Sequence, residues 1–259
     1  MASENQIDRL PKCYGIIPAR YGSKRFPGKP LADILGKPMI RHVYERARQC
    51  HRMTAVYLAT DDERIRMVAQ KWDIPVVMTR NTHPSGTDRV MEAAEKLNLD
   101  RDSIIVNIQG DEPALEPEML TQLVCPFRAT DVQVATLARK IDRAEIENPD
   151  LVKVVFTEDG RALYFSRSPI PHHSNSQKNQ YYGHIGIYAF RLNTLEKFVS
   201  LQQSRLEIAE RLEQLRLIEN NIAIRVVVTD HNTCGVDRPE DIEKVKRILK
   251  KISYNRVIA

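Results

Sequence analysis

The chain has 259 residues, of which 42% are hydrophobic and 28% charged, as is ordinary for a soluble globular protein. Its 39 basic and 34 acidic residues leave a formal net charge of +5, which is mild and spread along the chain. This charge gives no argument for nucleic-acid binding. It is compatible with a site for an anionic ligand such as a nucleoside triphosphate, and equally with a slightly basic surface.

Zinc sites and disulfide frameworks are not expected, because the four cysteines lie far apart and none forms a CxxC pair. Residues 1–12, MASENQIDRLPK, are polar and predict a flexible tail without the apolar core of a signal peptide. No stretch approaches the roughly 20 apolar residues that span a bilayer. We therefore expect a cytoplasmic protein with no membrane insertion.

Short apolar runs alternate with helical patterns through the first half of the chain. Runs that are apolar on both faces predict parallel strands buried between helices, at Cys13–Pro18, Ala55–Thr60, Pro75–Thr79 and Ile104–Ile108. The spacing of apolar residues between these runs predicts helices at Pro38–Cys50, Asp62–Trp72 and Thr87–Leu97. This alternation indicates an α/β fold with a doubly wound, mostly parallel sheet.

After Gly110 the predicted strands have fewer helices between them, which indicates a smaller antiparallel extension formed by Val132–Ile141, Val152–Phe156, Ala162–Phe165 and Ile185–Phe190. A helix is then predicted at Arg205–Glu219, with an apolar face made of Ile208, Leu212, Leu215 and Ile218. A strand at Ile222–Thr229 and a closing helix at Pro239–Ile252 complete the pattern. We expect residues 13–259 to form one domain with an inserted subdomain at about 130–220.

The loop after the first strand, PARYGSKRFPGKPL, is rich in basic residues, glycine and proline. It lies between a buried strand and a helix, where α/β folds place ligands. Glycine lets the backbone approach phosphates, and Arg20, Lys24, Arg25 and Lys29 supply charge-assisted hydrogen bonds to phosphate oxygens. The alternative is a solvated basic loop. Neither GxGxxG nor GxxxxGK[ST] is present, which argues against a dinucleotide-binding fold and a P-loop NTPase.

Two aspartates are candidate ligands of a divalent cation. Asp111 follows a strand in VNIQGDEP, and its alternative role is that of a turn or cap residue. Asp237 precedes the closing helix, and Glu240 stands three residues later as in a capping box. From spacing alone the cap is the better interpretation of Asp237.

The segment SGTDR precedes a predicted helix. Its free N–H groups and the hydroxyls of Ser85 and Thr87 can contact a nucleotide base or ribose. A helix cap at Thr87 or Asp88 is the alternative, and both interpretations can hold together.

The segment IIPARYGSKRFPGKPLADILGKPMI resembles the nucleotide-binding signature of the CMP-KDO synthetases, the 3-deoxy-manno-octulosonate cytidylyltransferases. Pro30 and Leu31 after Lys29 are similar to this branch, whereas the related CMP-sialate synthetases carry PGKN. The resemblance extends from about Tyr14 to about Lys250, and it implies a fold like that of the nucleotide-diphospho-sugar transferases.

The resemblance implies roles for individual residues on the nucleotide side. Arg20, Lys29 and Asp111 would be catalytic, and Mg2+ would be held by Asp111 and Asp237. For Asp237, the resemblance therefore favours the metal ligand over the helix cap that spacing alone favours. The nucleotide would be bound by Arg20, Ser23, Lys24, Lys29, Ser85, Thr87 and Gln109.

The segments YFSRSPIP, HIGIYAF and LEQLR resemble sugar-binding elements of the same family. They imply that the acidic sugar is bound by Gln109, Arg167, His184, Tyr188, Glu213 and Gln214. Arginine suits a bidentate contact with a carboxylate. His184 and Tyr188 would share one face of a strand, where packing is the more frequent role, and a solvated face is the alternative for LEQLR.

The expected reaction transfers CMP from CTP to the anomeric hydroxyl of 3-deoxy-D-manno-octulosonate (KDO). One departure, Arg205-Leu206-Glu207 where many relatives have Pro-Leu-Glu, leaves 8-amino-3,8-dideoxy-octulosonate open as the sugar. A nucleotide-sugar glycosyltransferase would normally show a DxD motif, and a phosphate- or nucleic-acid-binding module would lack the paired aspartates. The resemblance also implies a homodimer.

Overall fold

The computed structural model describes residues 10–23, 25–172 and 180–258, with side chains up to residue 252. Most of the predicted tail and the predicted nucleotide ligand Lys24 therefore lie outside the described residues. The chain forms two units. The first unit comprises Cys13–Leu99, Val106–Leu120 and Thr233–Ala259, and the second comprises Met1–Lys12, Asp100–Ile105 and Thr121–Asn232. The prediction of one domain with an insertion stays a prediction.

The strands and helices are numbered in chain order. The strands are β1 (Cys13–Ala19), β2 (Asp33–Ile34), β3 (Lys37–Pro38), β4 (Met53–Thr60), β5 (Val76–Met78), β6 (Ile104–Asn107), β7 (Val134–Ile141), β8 (Lys153–Phe156), β9 (Ala162–Ser166), β10 (Tyr181–Arg191) and β11 (Ile224–Val228). The helices are α1 (Met39–Arg48), α2 (Glu63–Lys71), α3 (Gly86–Lys96), α4 (Pro117–Val124), α5 (Leu192–Ser200), α6 (Arg205–Glu210), α7 (Leu215–Glu219) and α8 (Asp241–Ile258).

The first unit is built on strands in the order β6-β1-β4-β5, with β1, β4 and β5 paired in parallel. Ile16, Ile17, Leu58 and Val106 have no exposed surface, because α1, α2 and α3 pack against the strands. Strands covered in this way must be apolar on both faces, which is why the sequence pattern found them. The predicted α/β class with a mostly parallel sheet is confirmed.

The closing helix α8 belongs to the first unit and covers a small apolar cluster. Val245 and Leu249 of this helix pack with Ile34, Met39 and Val236. The packing brings the chain before α8 against the loop that follows β1. Residues far apart in sequence can therefore contribute to one site of this unit.

The second unit contains the antiparallel strands that the sequence pattern predicts. Strand β7 pairs antiparallel with β10 and parallel with β11, and β8 pairs antiparallel with both β9 and β10. The register between β10 and β7 shifts between Ile185 and Tyr188, which marks a bulge in the long strand β10. Helix α5 packs against β10, and α7 packs against β9.

The prediction of a single helix at Arg205–Glu219 is wrong. The segment forms the two short helices α6 and α7, because Arg211 takes a left-handed conformation with φ of 54° and ends α6. Ile208, predicted on the apolar face, is 62% exposed. A buried ion pair of Glu207 with Arg216, 2.6 Å long, joins the two helices where the pattern predicts continuous apolar packing.

Other helix boundaries differ from the prediction. Helices α4 and α5 were not predicted. Helix α1 begins at Met39, since Pro38 keeps an extended backbone, and α8 begins at Asp241 and not at Pro239. The beginning of α8 matters for the candidate site, because it leaves Asp237 outside the helix.

Candidate active site

The basic loop after β1 closes back on itself. The carbonyl oxygen of Tyr21 accepts hydrogen bonds from the N–H groups of Ser23 and Gly28, at 2.9 and 3.0 Å. Gly28 has a φ of +73°, and a Cβ atom there would lie 3.2 Å from the Tyr21 ring, so this turn requires glycine. The Tyr21–Gly28 segment, called the phosphate loop below, leads directly into the 3-10 turn that carries Lys29.

Lys29 joins the two predicted metal ligands. Its ammonium donates to Asp111 Oδ2 at 2.6 Å and to the carbonyl oxygen of Val236 at 2.9 Å. The same nitrogen lies 3.9 Å from Asp237 Oδ1, and the Lys29 side chain is only 14% exposed. One cation therefore already lies between the two carboxylates.

Asp237 is held by the phosphate loop and is not the cap of α8. Its Oδ2 lies 2.8 Å from Nη1 of Arg25. Helix α8 begins only at Asp241, whose carboxylate accepts the N–H groups of Asp237 and Arg238 at 2.8 and 2.9 Å. The cap interpretation that spacing favoured for Asp237 is therefore wrong, and its carboxylate faces basic side chains instead.

The backbone fixes the second aspartate beside the first. The N–H of Val236 donates to the carbonyl oxygen of Asp111 at 2.8 Å. Next to Asp111, burial and the Asp111 carboxylate raise the pKa of Glu112 to about 8. A Cβ atom on Gly235 would lie 3.2 Å from Glu112 Oε1, so glycine allows the two loops to meet. Sequence reasoning missed Glu112, although it stands directly beside Asp111 in GDEP.

Ser85 caps helix α3. Its Oγ accepts the N–H groups of Thr87 and Asp88 at 3.1 and 3.2 Å and donates to Asp88 Oδ2 at 2.6 Å. Thr87 is 5% exposed, and its Oγ1 accepts a hydrogen bond from Asn107 at 3.4 Å. The predicted cap at Thr87 or Asp88 is therefore wrong, and packing suits Thr87 better than the predicted nucleotide contact.

These residues surround one cleft of about 520 Å³ in the first unit. Most of the predicted nucleotide and metal residues line it, namely Arg20, Ser23, Lys29, Ser85, Gln109, Asp111 and Asp237. Arg25, which the sequence placed in the basic loop, also lines the cleft, as do His83 and Arg89, which sequence reasoning did not assign to the site. The cleft therefore presents four basic side chains and two carboxylates, a set suited to a polyphosphate with a divalent cation.

Two acidic residues, Glu92 and Asp61, hold the side chains of His83 and Arg89. The Glu92 carboxylate contacts Nε2 of His83 and accepts the N–H of Arg80 at 3.1 Å. Burial opposes its charge, but hydrogen bonds from Lys96, Arg80 and His83 outweigh burial and lower the pKa of Glu92 to about 2. Arg89 pairs with Asp61 at 2.8 Å. Arg89 is the last residue of the motif SGTDR, and His83 lies two residues before that motif. The motif was therefore the sequence feature from which both cleft residues could have been predicted.

The second unit holds the remaining predicted sugar residues. Arg167 donates through Nε to the carbonyl oxygen of Glu210 at 3.1 Å and through Nη1 to that of Pro149 at 3.0 Å. The Glu210 carboxylate accepts the N–H of Arg167 at 3.0 Å and the Ser166 hydroxyl at 2.6 Å. The Arg167 guanidinium is therefore fixed by backbone oxygens, with Nη2 as a further donor.

His184 and Tyr188 share one face of β10, as predicted, with ring centroids 5.4 Å apart. His184 Nε2 lies 3.0 Å from Thr136 Oγ1, and burial lowers the pKa of His184 to about 3, so the ring is neutral at ordinary pH. Burial and the nearby Glu213 carboxylate raise the pKa of Tyr188. Gln214 is buried, which argues against a solvated face for this residue.

The described residues contain no cluster of three or more histidine, cysteine, aspartate or glutamate side chains that could cage a metal. Asp111 and Asp237 nonetheless fit Mg2+, which uses one or two protein carboxylates and completes its shell with water and phosphate oxygens. Lys29 between these carboxylates shows that the pair can hold a cation. The arrangement suits a metal that arrives with a nucleotide.

The chain resembles known proteins over most of its length. A family model described as cytidylyltransferase matches residues 14–225. A 3-deoxy-manno-octulosonate cytidylyltransferase of Nitratidesulfovibrio vulgaris (strain DP4) is 57% identical over 243 residues, covering 92% of this chain and 96% of that protein. An 8-amino-3,8-dideoxy-manno-octulosonate cytidylyltransferase of Shewanella sp. (strain W3-18-1) is 46% identical and covers 90% and 97%.

A solved structure of CMP:2-keto-3-deoxy-manno-octonic acid synthetase complexed with CTP is similar to this chain with a TM-score of 0.88 and 46% identity, over 93% of this chain and 99% of that one. All four cysteines lie in the described part of the chain and form no disulfide there, and Cys125 is the exposed one among them. Over the described residues, no helix has the length and apolar character needed to cross a membrane.

Proposed function

This chain belongs to the cytidylyltransferase family, and on that premise we propose that it transfers CMP from CTP to the anomeric hydroxyl of KDO. The products are CMP-KDO and pyrophosphate, and the pathway is lipopolysaccharide biosynthesis. The observation that carries the proposal is the cleft in which Lys29 joins Asp111 and Asp237 beside the phosphate loop.

The reaction requires positioning and charge neutralisation more than covalent chemistry from the protein. The anomeric oxygen forms a bond to the α-phosphorus, the hydroxyl gives up its proton, and the bond to the bridging oxygen breaks so that pyrophosphate leaves. Arg20, Arg25 and Lys29 line the cleft and neutralise the phosphates. Ser85 and Gln109, which line the cleft from two segments outside the phosphate loop, contact the nucleotide.

Magnesium is part of the proposal. Asp111 and Asp237 would hold Mg2+, which supplies charge stabilisation at the phosphate oxygens when it is bound. In the structure, the Lys29 ammonium pairs with Asp111 and the Arg25 guanidinium with Asp237. Both cations can move to phosphate when a nucleotide binds, which makes the two carboxylates available.

For the sugar, we propose that Arg167 binds the carboxylate and that His184, Tyr188, Glu213 and Gln214 contact the hydroxyls. The fixed guanidinium of Arg167 and the neutral His184 ring support these roles. KDO is proposed before its 8-amino analogue, since relatives named for KDO reach 58% identity, whereas a relative named for the amino sugar is 46% identical.

A homodimer in the cytoplasm completes the proposal. The large apolar side chains of Leu163 and Ile208 are 48% and 62% exposed, and both lie in the predicted subdomain at about 130–220, which makes this part a candidate dimer surface. Four cysteines without a disulfide among the described residues are consistent with a reducing compartment.

Pyrophosphate release tests the proposed function. Purified protein with CTP, Mg2+ and KDO is expected to release pyrophosphate, and excess EDTA is expected to stop the release. Asp111→Asn keeps the shape of the side chain and removes its charge, so the variant should fold and lose turnover. Full activity in EDTA would refute the metal site, and no pyrophosphate from the wild-type protein would refute the function.

A further inference from the structure

The Arg64 guanidinium of α2 stacks on the ring of Tyr21, the first residue of the phosphate loop, with its carbon atom 3.4 Å from the ring centroid. A guanidinium over an aromatic face is held by the negative charge of that face. Helix α2 thereby contacts the phosphate loop through one side-chain pair.

Arg64 is not a freely moving surface side chain, although it is 58% exposed. Its Nε donates to Asp62 Oδ1 at 3.0 Å and its Nη2 to Asp62 Oδ2 at 2.6 Å. Asp62 is itself fixed as the cap of α2, since its Oδ1 accepts the Arg64 N–H at 3.0 Å. A fork of this kind holds the guanidinium plane in one orientation.

Tyr21 transmits this restraint to the loop. Its carbonyl oxygen accepts the N–H groups at both ends of the turn, from Ser23 and Gly28, and its ring lies against Gly28 on one face of the loop. Ser23 and Arg25, which the closed turn carries, line the cleft, and Lys29 follows directly. A shift of the Tyr21 ring would therefore shift the cationic groups of the loop together.

We propose that Arg64 and Tyr21 form an anchor that positions the phosphate loop for the triphosphate, with Arg64 acting as a positioning residue outside the cleft. The inference rests on the proposed function, in which the loop neutralises the phosphates of CTP. Without the anchor, the loop must be ordered at the moment of nucleotide binding, and part of the binding free energy is lost.

The same helix offers a matched control. Arg66 is also an arginine of α2 paired with an acidic residue of the first turn, with Nε 2.9 Å from Glu63 Oε1. It makes no stacking contact with the loop among the described residues. Arg66→Ala therefore removes an equivalent surface charge and ion pair and leaves the anchor in place.

Steady-state kinetics with each substrate varied in turn tests the anchor. Removing an exposed cation–π contact and its preorganisation is expected to raise KM for CTP about fivefold in Arg64→Ala. KM for KDO should stay within about twofold of wild type, and Arg66→Ala should behave as wild type in both respects. Arg64→Lys, which keeps the charge and loses the fork, should fall between.

Two further readouts separate positioning from a general loss of stability. Tyr21→Phe, which keeps the ring, should resemble wild type, while Tyr21→Leu should match Arg64→Ala. The double variant should then be no worse than either single one. Trypsin should cleave after Arg25 faster in Arg64→Ala than in Arg66→Ala, at equal melting temperature.

Equal KM values for CTP in Arg64→Ala and Arg66→Ala, or additive effects in the double variant, would overturn the anchor. This failure is distinct from failure of the proposed function, which would appear as an inactive wild-type protein. In that case, CTP binding measured by calorimetry with wild type, Arg64→Ala and Arg66→Ala still tests the anchor. Unchanged CTP affinity in Arg64→Ala would overturn it.

Discussion

At the scale of single residues, the site is organised around the Lys29 ammonium. Two carboxylates and one backbone carbonyl oxygen face this nitrogen, at 2.6, 3.9 and 2.9 Å. Neighbouring carboxylates repel one another, so a cation between Asp111 and Asp237 stabilises the pair. The Lys29 ammonium is that cation, and because Lys29 lines the cleft it can also bind a phosphate group there.

Lys29→Met tests this double role. Removing a preorganised donor is expected to lower kcat on the order of 100-fold or more. Because the ammonium competes with a metal for the same two carboxylates, the variant should bind Mn2+ more tightly than wild type in the absence of nucleotide. Titration of Mn2+ followed by electron paramagnetic resonance measures the second effect.

Lys37→Met is the matched control for this variant, since Lys37 pairs with Glu45 at 2.8 Å and takes no part in the aspartate pair. It should leave both turnover and Mn2+ affinity unchanged. If Lys29→Met kept its turnover per folded molecule, or bound Mn2+ more weakly than wild type, the role assigned to Lys29 would be wrong.

Sequence alone predicted most of the charged residues that line the cleft, except Arg89, and missed the acidic residues that hold His83 and Arg89. Lys29 and Asp111 stand in motifs, at the end of strands whose apolar runs are easy to find. Glu92 and Lys153 are charged residues buried by partners from other segments, at the end of α3 and in β8. No local pattern distinguishes such a residue from an exposed one, because its burial depends on tertiary contacts.

At the scale of elements, α3 carries the acid that orients the loop before it. The pKa of Glu92, about 2, lies below its ordinary value of 4.5. A depressed carboxylate pKa stabilises the folded state above the unfolded pKa, and this contribution is lost as the pH falls toward the folded pKa. Glu92 therefore stabilises the fold at neutral pH and loses its effect between pH 4.5 and about 2.

Glu92→Gln should lower the free energy of unfolding most at neutral pH, and the difference from wild type should shrink as the pH falls below about 4.5. Urea unfolding at several pH values measures this difference. Glu95→Gln, an exposed position on the same helix, should show little effect at any pH. A Glu92→Gln effect that did not change with pH would contradict the assignment.

Strand β8 of the second unit holds a lysine with no exposed surface. Lys153 Nζ donates to the carbonyl oxygens of Asn148 and Leu151, at 3.0 and 2.8 Å, and to that of Arg167. The ammonium thereby ties the backbone of the proposed sugar-carboxylate ligand to the turn before β8. Burial lowers the pKa of Lys153, as expected for a cation removed from water.

Lys153→Met should lower the free energy of unfolding by about 1–3 kcal/mol, since buried acceptors lose their donor. KM for the sugar should rise more than KM for CTP, because the carbonyl oxygen of Arg167 loses its hydrogen bond from Lys153. Thermal or urea unfolding and two-substrate kinetics measure these effects. Lys140→Met, at an exposed position of β7, is the control, and an equal melting temperature for the two variants would contradict the account.

Element prediction succeeded where one local signal was sufficient. The buried parallel strands of the first unit were found within two residues at each end, because an apolar run is their whole requirement. The prediction for Arg205–Glu219 failed because the break depends on the left-handed backbone of Arg211 and on a buried ion pair between Glu207 and Arg216. An apolar stripe carries no information about either feature.

At the scale of the whole molecule, the chain carries its predicted residues in two units. The first unit brings most of the predicted nucleotide and metal residues into one cleft, and the second fixes Arg167 and places His184 beside Tyr188. The proposed function assigns both sets to one reaction. The central claim is therefore about the substrates, a cytidine triphosphate and an eight-carbon acidic sugar.

One measurement tests that claim most directly, namely kcat/KM with CTP for KDO, for its 8-amino analogue and for sialic acid under the same conditions. A site that hydrogen-bonds particular hydroxyls rejects analogues that leave its own polar groups unpaired. KDO should therefore be used best, the amino sugar less well and sialic acid least. Preference for the amino sugar would overturn the choice of sugar, and preference for sialic acid would contradict the account.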